Sequence, residues 1–206
     1  MSFYTLAKTL CHFYVSVFYR MRYEGLENIP ENQGFIMASN HISVFDPLFI
    51  AVKLKQQIHF MAKIELFRNP FFGWVLKNVN AFPVDRGKGD GAAIREAGNR
   101  INGGGVLGMF IEGTRSGDGM PKRARSGAAL IAGETGADVL PCAVIYHKKL
   151  KFRSSVTVCF GKLIKNEQLK IDLQTPSTLR LASKSIMEDI RGLFLKFYET
   201  NEGGPA

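Results

Sequence analysis

Cysteine is scarce in this chain and poorly placed for chemistry. Its 3 cysteines, Cys11, Cys142 and Cys159, are widely separated and match neither a metal-ligand nor a redox spacing. Dispersed thiols in odd number point to reduced side chains in a cytosolic setting. No G-x-S-x-G turn occurs, which leaves no serine nucleophile on a strand-to-helix elbow. Acid is also in short supply. Asp and Glu number 18 against 27 Lys and Arg, a formal charge of +9. Such an excess points to an anionic partner: nucleic acid, a phosphorylated substrate or an anionic membrane surface. The basic residues do not interleave with aromatics as they do in single-strand binders, so no nucleic acid is expected. There is no internal repeat and no linker, and 206 residues suffice for one domain with a sizeable core.

What the chain has in quantity is phenylalanine, 16 residues, within an overall hydrophobic content of 46%. Several Phe and Tyr fall in the stretch 3–20. On a helix at 100° per residue, Thr5, Lys8, Thr9, His12, Ser16 and Arg20 cover about a third of the circumference and the remainder is apolar. The stretch carries Lys8, falls short of the roughly 20 uncharged residues a span needs, and lacks the small-residue cleavage site of a signal peptide. A helix lying in the membrane interface is expected, with Arg20 and Arg22 at headgroup level. A helix packed on the body of the protein is the alternative.

Strands are expected at Gly34–Ala38, Gln57–Lys63, Asn80–Arg86, Val106–Phe110, Asp138–Tyr146 and Ser155–Phe160. Helices are expected at Asp90–Ile101, at 126–135 and after Thr175-Pro176. Between them, Ile64–Leu76 is apolar on nearly all sides. That suits a buried core helix, an acyl-chain groove or contact with lipid. Gly103, Gly105 and Gly108 spell G-x-G-x-x-G but follow a helix and lead into a strand, the reverse of a dinucleotide site. The expected architecture is α/β: a single domain over residues 23–206 with a mixed central sheet flanked by helices, preceded by an amphipathic membrane-interface helix over residues 1–22.

Two strand ends carry the chemistry. Ser39-Asn40-His41 leaves a buried strand, and Asp46-Pro47 opens the next helix with Asp expected as its cap. Five residues of turn are enough to fold the Asp46 carboxylate back onto His41, fixing the ring tautomer and leaving the other nitrogen as a general base. The same letters also suit a loop histidine beside a helix cap. The second strand end is Ile111-Glu112-Gly113-Thr114-Arg115. Glycine there lets backbone N–H groups approach an anion, Arg115 suits phosphate, and Glu112 suits holding Arg115 or accepting from a substrate hydroxyl.

Asn40, His41 and Asp46 fit N-H-x-x-x-x-D, and Phe110 through Arg115 fit F-x-E-G-T-R. Gly73 through Arg86 form a block ending in Arg, with Lys63 and Glu65 upstream in pattern, and Pro141 follows a strand start. In this order the four blocks resemble those of the glycerolipid acyltransferases, over about residues 23–165. Ile111 stands where many members have Pro, and one N-terminal segment stands where some have two. The resemblance implies transfer of a fatty acyl group from acyl-CoA or acyl-carrier protein to the free hydroxyl of 1-acyl-sn-glycerol-3-phosphate (lysophosphatidate), giving phosphatidate. Relatives using another lysophospholipid or glycerol-3-phosphate form the alternative. It implies His41 and Asp46 as catalytic residues. Lys63, Arg86, Glu112, Gly113, Thr114 and Arg115 are implied as substrate-binding residues, with no cofactor and no metal. It places the protein peripherally on the cytoplasmic face of the cell membrane.

Overall fold

The computed structural model describes residues 3–85 and 91–199. Its centre is a seven-stranded sheet in the order β1-β7-β6-β2-β5-β3-β4. The strands are β1 (Tyr19–Glu24), β2 (Phe35–Ser39), β3 (Ile58–Lys63), β4 (Phe82–Val84), β5 (Val106–Phe110), β6 (Val139–Tyr146) and β7 (Ser154–Phe160). All neighbours are parallel except β6 and β7, so the sheet is mixed, as expected.

Alternation along the central strands divides the core in two. Phe35 and Met37 of β2, with Leu140, Cys142 and Val144 of β6, face α1 (Phe3–Phe18) and α2 (Asp46–Ala51). Ile36 and Ala38, with Val139, Ala143 and Ile145, face α4 (Gly91–Asn102), α5 (Gly127–Thr135) and α6 (Pro176–Glu199). Both faces of β2 are therefore covered, which is why its sequence reads as an unbroken apolar run. The layer on the second side rests on small residues: Ala93 and Ala97 of α4 and Ala128, Ala129 and Ala132 of α5 are all buried. On α6 the expected stripe of Ile186, Met187, Ile190 and Phe194 faces that core.

The first helix is shorter than expected. It ends at Phe18, and the chain continues directly into β1, which pairs with β7 from Tyr19 to Glu24. The boundary placed at residue 22 thus falls inside a strand of the sheet. The helix also has three faces rather than two. Tyr4, Ala7, Cys11, Tyr14 and Val15 turn toward the body, and Val15 is buried. Lys8, of the polar stripe, turns inward and donates from Nζ to the Leu54 carbonyl, and burial lowers its pKa. A third stripe of Phe3, Leu6, Leu10, Phe13 and Val17 is left exposed. The helix therefore packs on the body and still presents an apolar face outward.

The stretch after β3 overturns the buried-core expectation. Ile64–Phe67 is a single 3-10 turn, and α3 (Pro70–Asn78) begins anew after Asn69, whose Oδ1 accepts from the backbone N–H groups of Phe71 and Phe72 at 3.0 and 3.1 Å. Asparagine followed by proline is a strong helix start, so the apolar run breaks there. Leu66, Phe71, Phe72 and Trp74 are exposed at 52%, 68%, 60% and 53%. Trp74 meets Phe3 edge to face at 5.1 Å, so the exposed apolar surfaces of α1 and α3 are continuous. Among the described residues, no helix is long and apolar enough to cross a membrane.

Candidate active site

His41 lies just beyond the carboxyl end of β2, at the centre of the sheet, where open α/β sheets place their sites. Its backbone is held by two partners, Ser116 and Glu112, and the preceding Asn40 anchors the strand end. Asn40, fully buried, bridges to β6 with Nδ2 donating to the Val144 carbonyl at 2.9 Å and Oδ1 accepting from the Val144 N–H at 2.8 Å. The His41 carbonyl accepts from the Ser116 N–H at 2.8 Å and from its Oγ at 3.2 Å. The His41 N–H donates to Glu112 Oε1 at 3.1 Å.

The side chain is as tightly placed. His41 Nδ1 stands 2.8 Å from Asp46 Oδ2. The imidazole stacks on Phe110 at 3.9 Å and 14°, and Phe110 stacks in turn on Phe60 at 5.5 Å and 8°. Gly108 makes room for this: a Cβ there would lie 2.5 Å from the Phe60 ring. Among the described residues Nε2 has no protein partner, and 18% of the side chain stays exposed. The free nitrogen is thus the one that faces out.

Asp46 is not the helix cap that its position before Pro47 suggests. Helix α2 starts at Asp46 with Phe45 as the capping residue, and the carboxylate turns back into the loop. Its Oδ2 accepts from the N–H groups of Ile42 and Ser43 at 2.7 and 2.9 Å, besides facing His41. Its Oδ1 accepts from Tyr146 Oη, at the end of β6. A carboxylate with no solvent exposure is affordable only with such a set of donors. Tyr146 itself is held as a neutral phenol, its pKa driven far up by burial and by the adjacent Asp46.

The second loop departs from expectation. Glu112 is buried and does not hold Arg115; it accepts from His41, and Arg115 is exposed. Burial raises the Glu112 pKa, while the backbone N–H groups of His41 and Lys122 pull the other way. The Gly113 N–H is not free for an anion, because it donates to the Phe110 carbonyl at 3.0 Å. Gly113 has φ 75°, and a Cβ there would meet Arg125 Cδ at 2.7 Å. Glycine therefore allows the turn and lets Arg125 lie across it. Thr114 is exposed beside these residues. Lys63, at the end of β3, pairs with Glu65 at 3.0 Å rather than with the His41 loop. Arg86 lies outside the described residues.

Beside the pair is an open cavity of about 260 Å³, lined largely by apolar side chains from β3, β4, β5, α4 and α5, among them Met61, Val84, Ile94, Met109, Phe110 and Leu130. Sequence reasoning missed Tyr146, Phe110 as the stacking partner of His41, and Arg125. Tyr146 carried one readable signal, a polar-tipped aromatic ending an otherwise apolar strand.

Fold and site together define an α/β protein with a partly exposed histidine held by a buried aspartate at its strand ends, and with an apolar cavity on Phe110, the ring that stacks on the histidine. The acyltransferase family profile matches residues 20–145, more than half of the chain, and the chain belongs to that family. Among its relatives is a 1-acyl-sn-glycerol-3-phosphate acyltransferase of Bacillus subtilis (strain 168). It is 37% identical over 118 residues, which cover 57% of this chain and 58% of that one. A protein of the same description from Streptococcus pneumoniae is 32% identical over 154 residues, covering 72% of this chain and 57% of that one. The chain thus aligns with somewhat over half the length of each. The solved 1-acyl-sn-glycerophosphate (LPA) acyltransferase PlsC of Thermotoga maritima shares the fold, with TM-score 0.74 and 24% identity over 98% of this chain and 81% of that one.

Proposed function

We propose that the protein transfers a fatty acyl group from an acyl thioester, acyl-CoA or acyl-carrier protein, to the free hydroxyl of 1-acyl-sn-glycerol-3-phosphate, giving phosphatidate. The observation that carries this is the 2.8 Å contact of His41 Nδ1 with Asp46 Oδ2, which leaves Nε2 facing solvent. With Nδ1–H donated to Asp46, Nε2 takes the acceptor's hydroxyl proton as its oxygen attacks the thioester carbonyl. The tetrahedral adduct then loses the C–S bond, and the imidazolium returns the proton to the departing thiolate. The products are an ester and a free thiol, with no covalent enzyme intermediate. Asp46 orients the ring and stabilises its charged form.

Arg115 is exposed on the adjacent loop and suits the acceptor phosphate, with Thr114 beside it. The apolar cavity beside Phe110 suits an acyl chain. Water-insoluble substrates call for a lipid surface, and the continuous exposed faces of α1 and α3 would lie in one leaflet of an anionic membrane, reached from the cytoplasmic side.

The test is release of free thiol from an acyl thioester by purified protein. Release that requires lysophosphatidate supports the proposal. Release at the same rate into water alone would make the protein a thioesterase and sink it.

A further inference from the structure

We propose that a basic groove between the 112–126 loop and α6, outside the His41 cleft, binds the phosphates of a coenzyme A thioester. This rests on the reading of the protein as a thioester-dependent acyltransferase and assigns the donor to a place. The groove encloses about 1220 Å³, and α6 forms one wall from Ser177 to Arg191. At 1.5 Å per residue that wall is about 21 Å long, far more than a single headgroup phosphate needs.

Its charge is strongly one-sided. Lys122, Arg123, Arg125, Arg180, Lys184 and Arg191 line it, against Glu112 and Glu188. Lys184 is 3.6 Å from Glu188, and Lys122 is 3.8 Å from Asp118 outside the groove, so neither cation is tightly neutralised. Arg191 donates to the Pro121 carbonyl at 3.3 Å, which ties α6 to the loop. Arg123, Arg125 and Arg180 have no ion-pair partner among the described residues. Three guanidinium groups without a carboxylate partner along one groove make it attractive to a polyanion.

A second observation is independent of charge. Buried polar atoms are nearly always hydrogen-bonded. Among the described residues, three buried side-chain polar atoms lack a hydrogen bond: Gln56 Oε1, Glu112 Oε2 and Ser183 Oγ. Of these, Ser183 lines the groove with a hydroxyl that can donate to a phosphate oxygen, which a carboxylate oxygen of Glu112 cannot. Ser183 is only 3% exposed and sits on the stripe of α6 that otherwise faces the core. A hydroxyl at the floor of a groove suits a phosphate on a slender molecule better than the convex surface of an acidic carrier protein. The groove also begins at Glu112 and Thr114, and Glu112 Oε1 accepts from the His41 N–H at 3.1 Å. A donor anchored by its phosphates along α6 therefore has its thioester end directed toward the histidine.

The test separates this assignment from the proposed reaction. Coenzyme A binding is measured by calorimetry on the whole protein without turnover, alongside 3′-dephospho-coenzyme A. Arg123→Ala with Arg180→Ala should weaken coenzyme A binding about 10- to 100-fold, as expected for lost charge-assisted hydrogen bonds, and the dephospho form less. Both residues are exposed, so a melting curve close to the parent's is expected. Ser183→Ala should also weaken coenzyme A binding, although removing an unpaired buried hydroxyl should not lower stability. Steady-state assays should show a raised acyl-CoA constant and an unmoved lysophosphatidate constant. Unchanged coenzyme A affinity in both variants would overturn the assignment. So would a rise confined to the lysophosphatidate constant, or one seen only with acyl-carrier protein as donor. Groove-dependent coenzyme A binding in a protein that transfers to no acceptor would uphold the groove and reject the proposed reaction instead.

Discussion

Tyr146 Oη donates to Asp46 Oδ1, joining residues 100 positions apart in the chain, and the other oxygen of the same carboxylate faces His41. The two strand ends of β2 and β6 are therefore tied through one buried carboxylate. Removing the phenol hydroxyl leaves Oδ1 buried and short of a donor, a loss of about 1–3 kcal/mol for such a group. Tyr146→Phe should lower turnover roughly 10-fold or more with little change in either substrate constant. Because both act through His41, its effect and that of Asp46→Asn should not add. Full additivity in the double variant would mean that Tyr146 acts on something else.

His41→Ala should abolish transfer and leave the fold intact, since the ring is partly exposed and Asp46 keeps its donors from Ile42, Ser43 and Tyr146. Asp46→Asn should cost roughly 10²–10⁴ in turnover through loss of the charge that supports the imidazolium. Single-turnover rates and far-ultraviolet circular dichroism check both. A folded His41→Ala protein with near-parental turnover would remove His41 from the chemistry.

Arg115→Lys should raise the acceptor constant far more than the donor constant, because lysine keeps the charge but loses the planar fork. Arg115 is exposed on the loop after β5, so the substitution should leave stability within about 0.5 kcal/mol of the parent. Measuring the two constants separately decides it. Movement of the donor constant alone would put Arg115 with the thioester.

Attachment to lipid should depend on α1 and α3 together. Phe13 and Val17 lie on one exposed stripe and Phe71 and Phe72 on the other. Each large side chain withdrawn from water contributes about 1.5–3 kcal/mol, so either pair changed to Asp should release most protein from anionic liposomes. Activity on a short-chain soluble acceptor should persist. Sedimentation with vesicles gives the answer, and unchanged binding by both double variants would rule out these faces as the contact.

Glu112 makes a prediction about pH. Burial raises its pKa in the folded protein above the value in the unfolded chain. Folding is therefore favoured fully below the unfolded value, and that part of the stability is lost as pH rises through the folded one. Glu112→Gln keeps an oxygen for the His41 N–H and removes the titration. Its melting temperature should gain on the parent's as pH increases from about 4 to about 7. A difference independent of pH would show that the buried carboxyl is not penalised.

Sequence by itself determined the regular framework and the local half of the site. The central strands are buried on both faces and the later helices carry one apolar stripe, so period and punctuation were enough to read them. His41 and Asp46 are five residues apart, and a turn of that length can close without help from the rest of the chain. Tertiary structure decided whatever depends on a distant neighbour. Asp46 reads as a cap before Pro47, yet the buried loop amides and Tyr146 compete for its carboxylate and win. Glu112 reads as the keeper of Arg115, yet β5 lies beside β2 and delivers it to the His41 backbone. For α3 the sequence left burial and contact with lipid both open, because an apolar run states what would gain from burial and not what is available to bury it. The groove along α6 is legible only when residues about 60 apart, Arg123 and Arg180 among them, are brought to face each other by the packing of a helix against a loop.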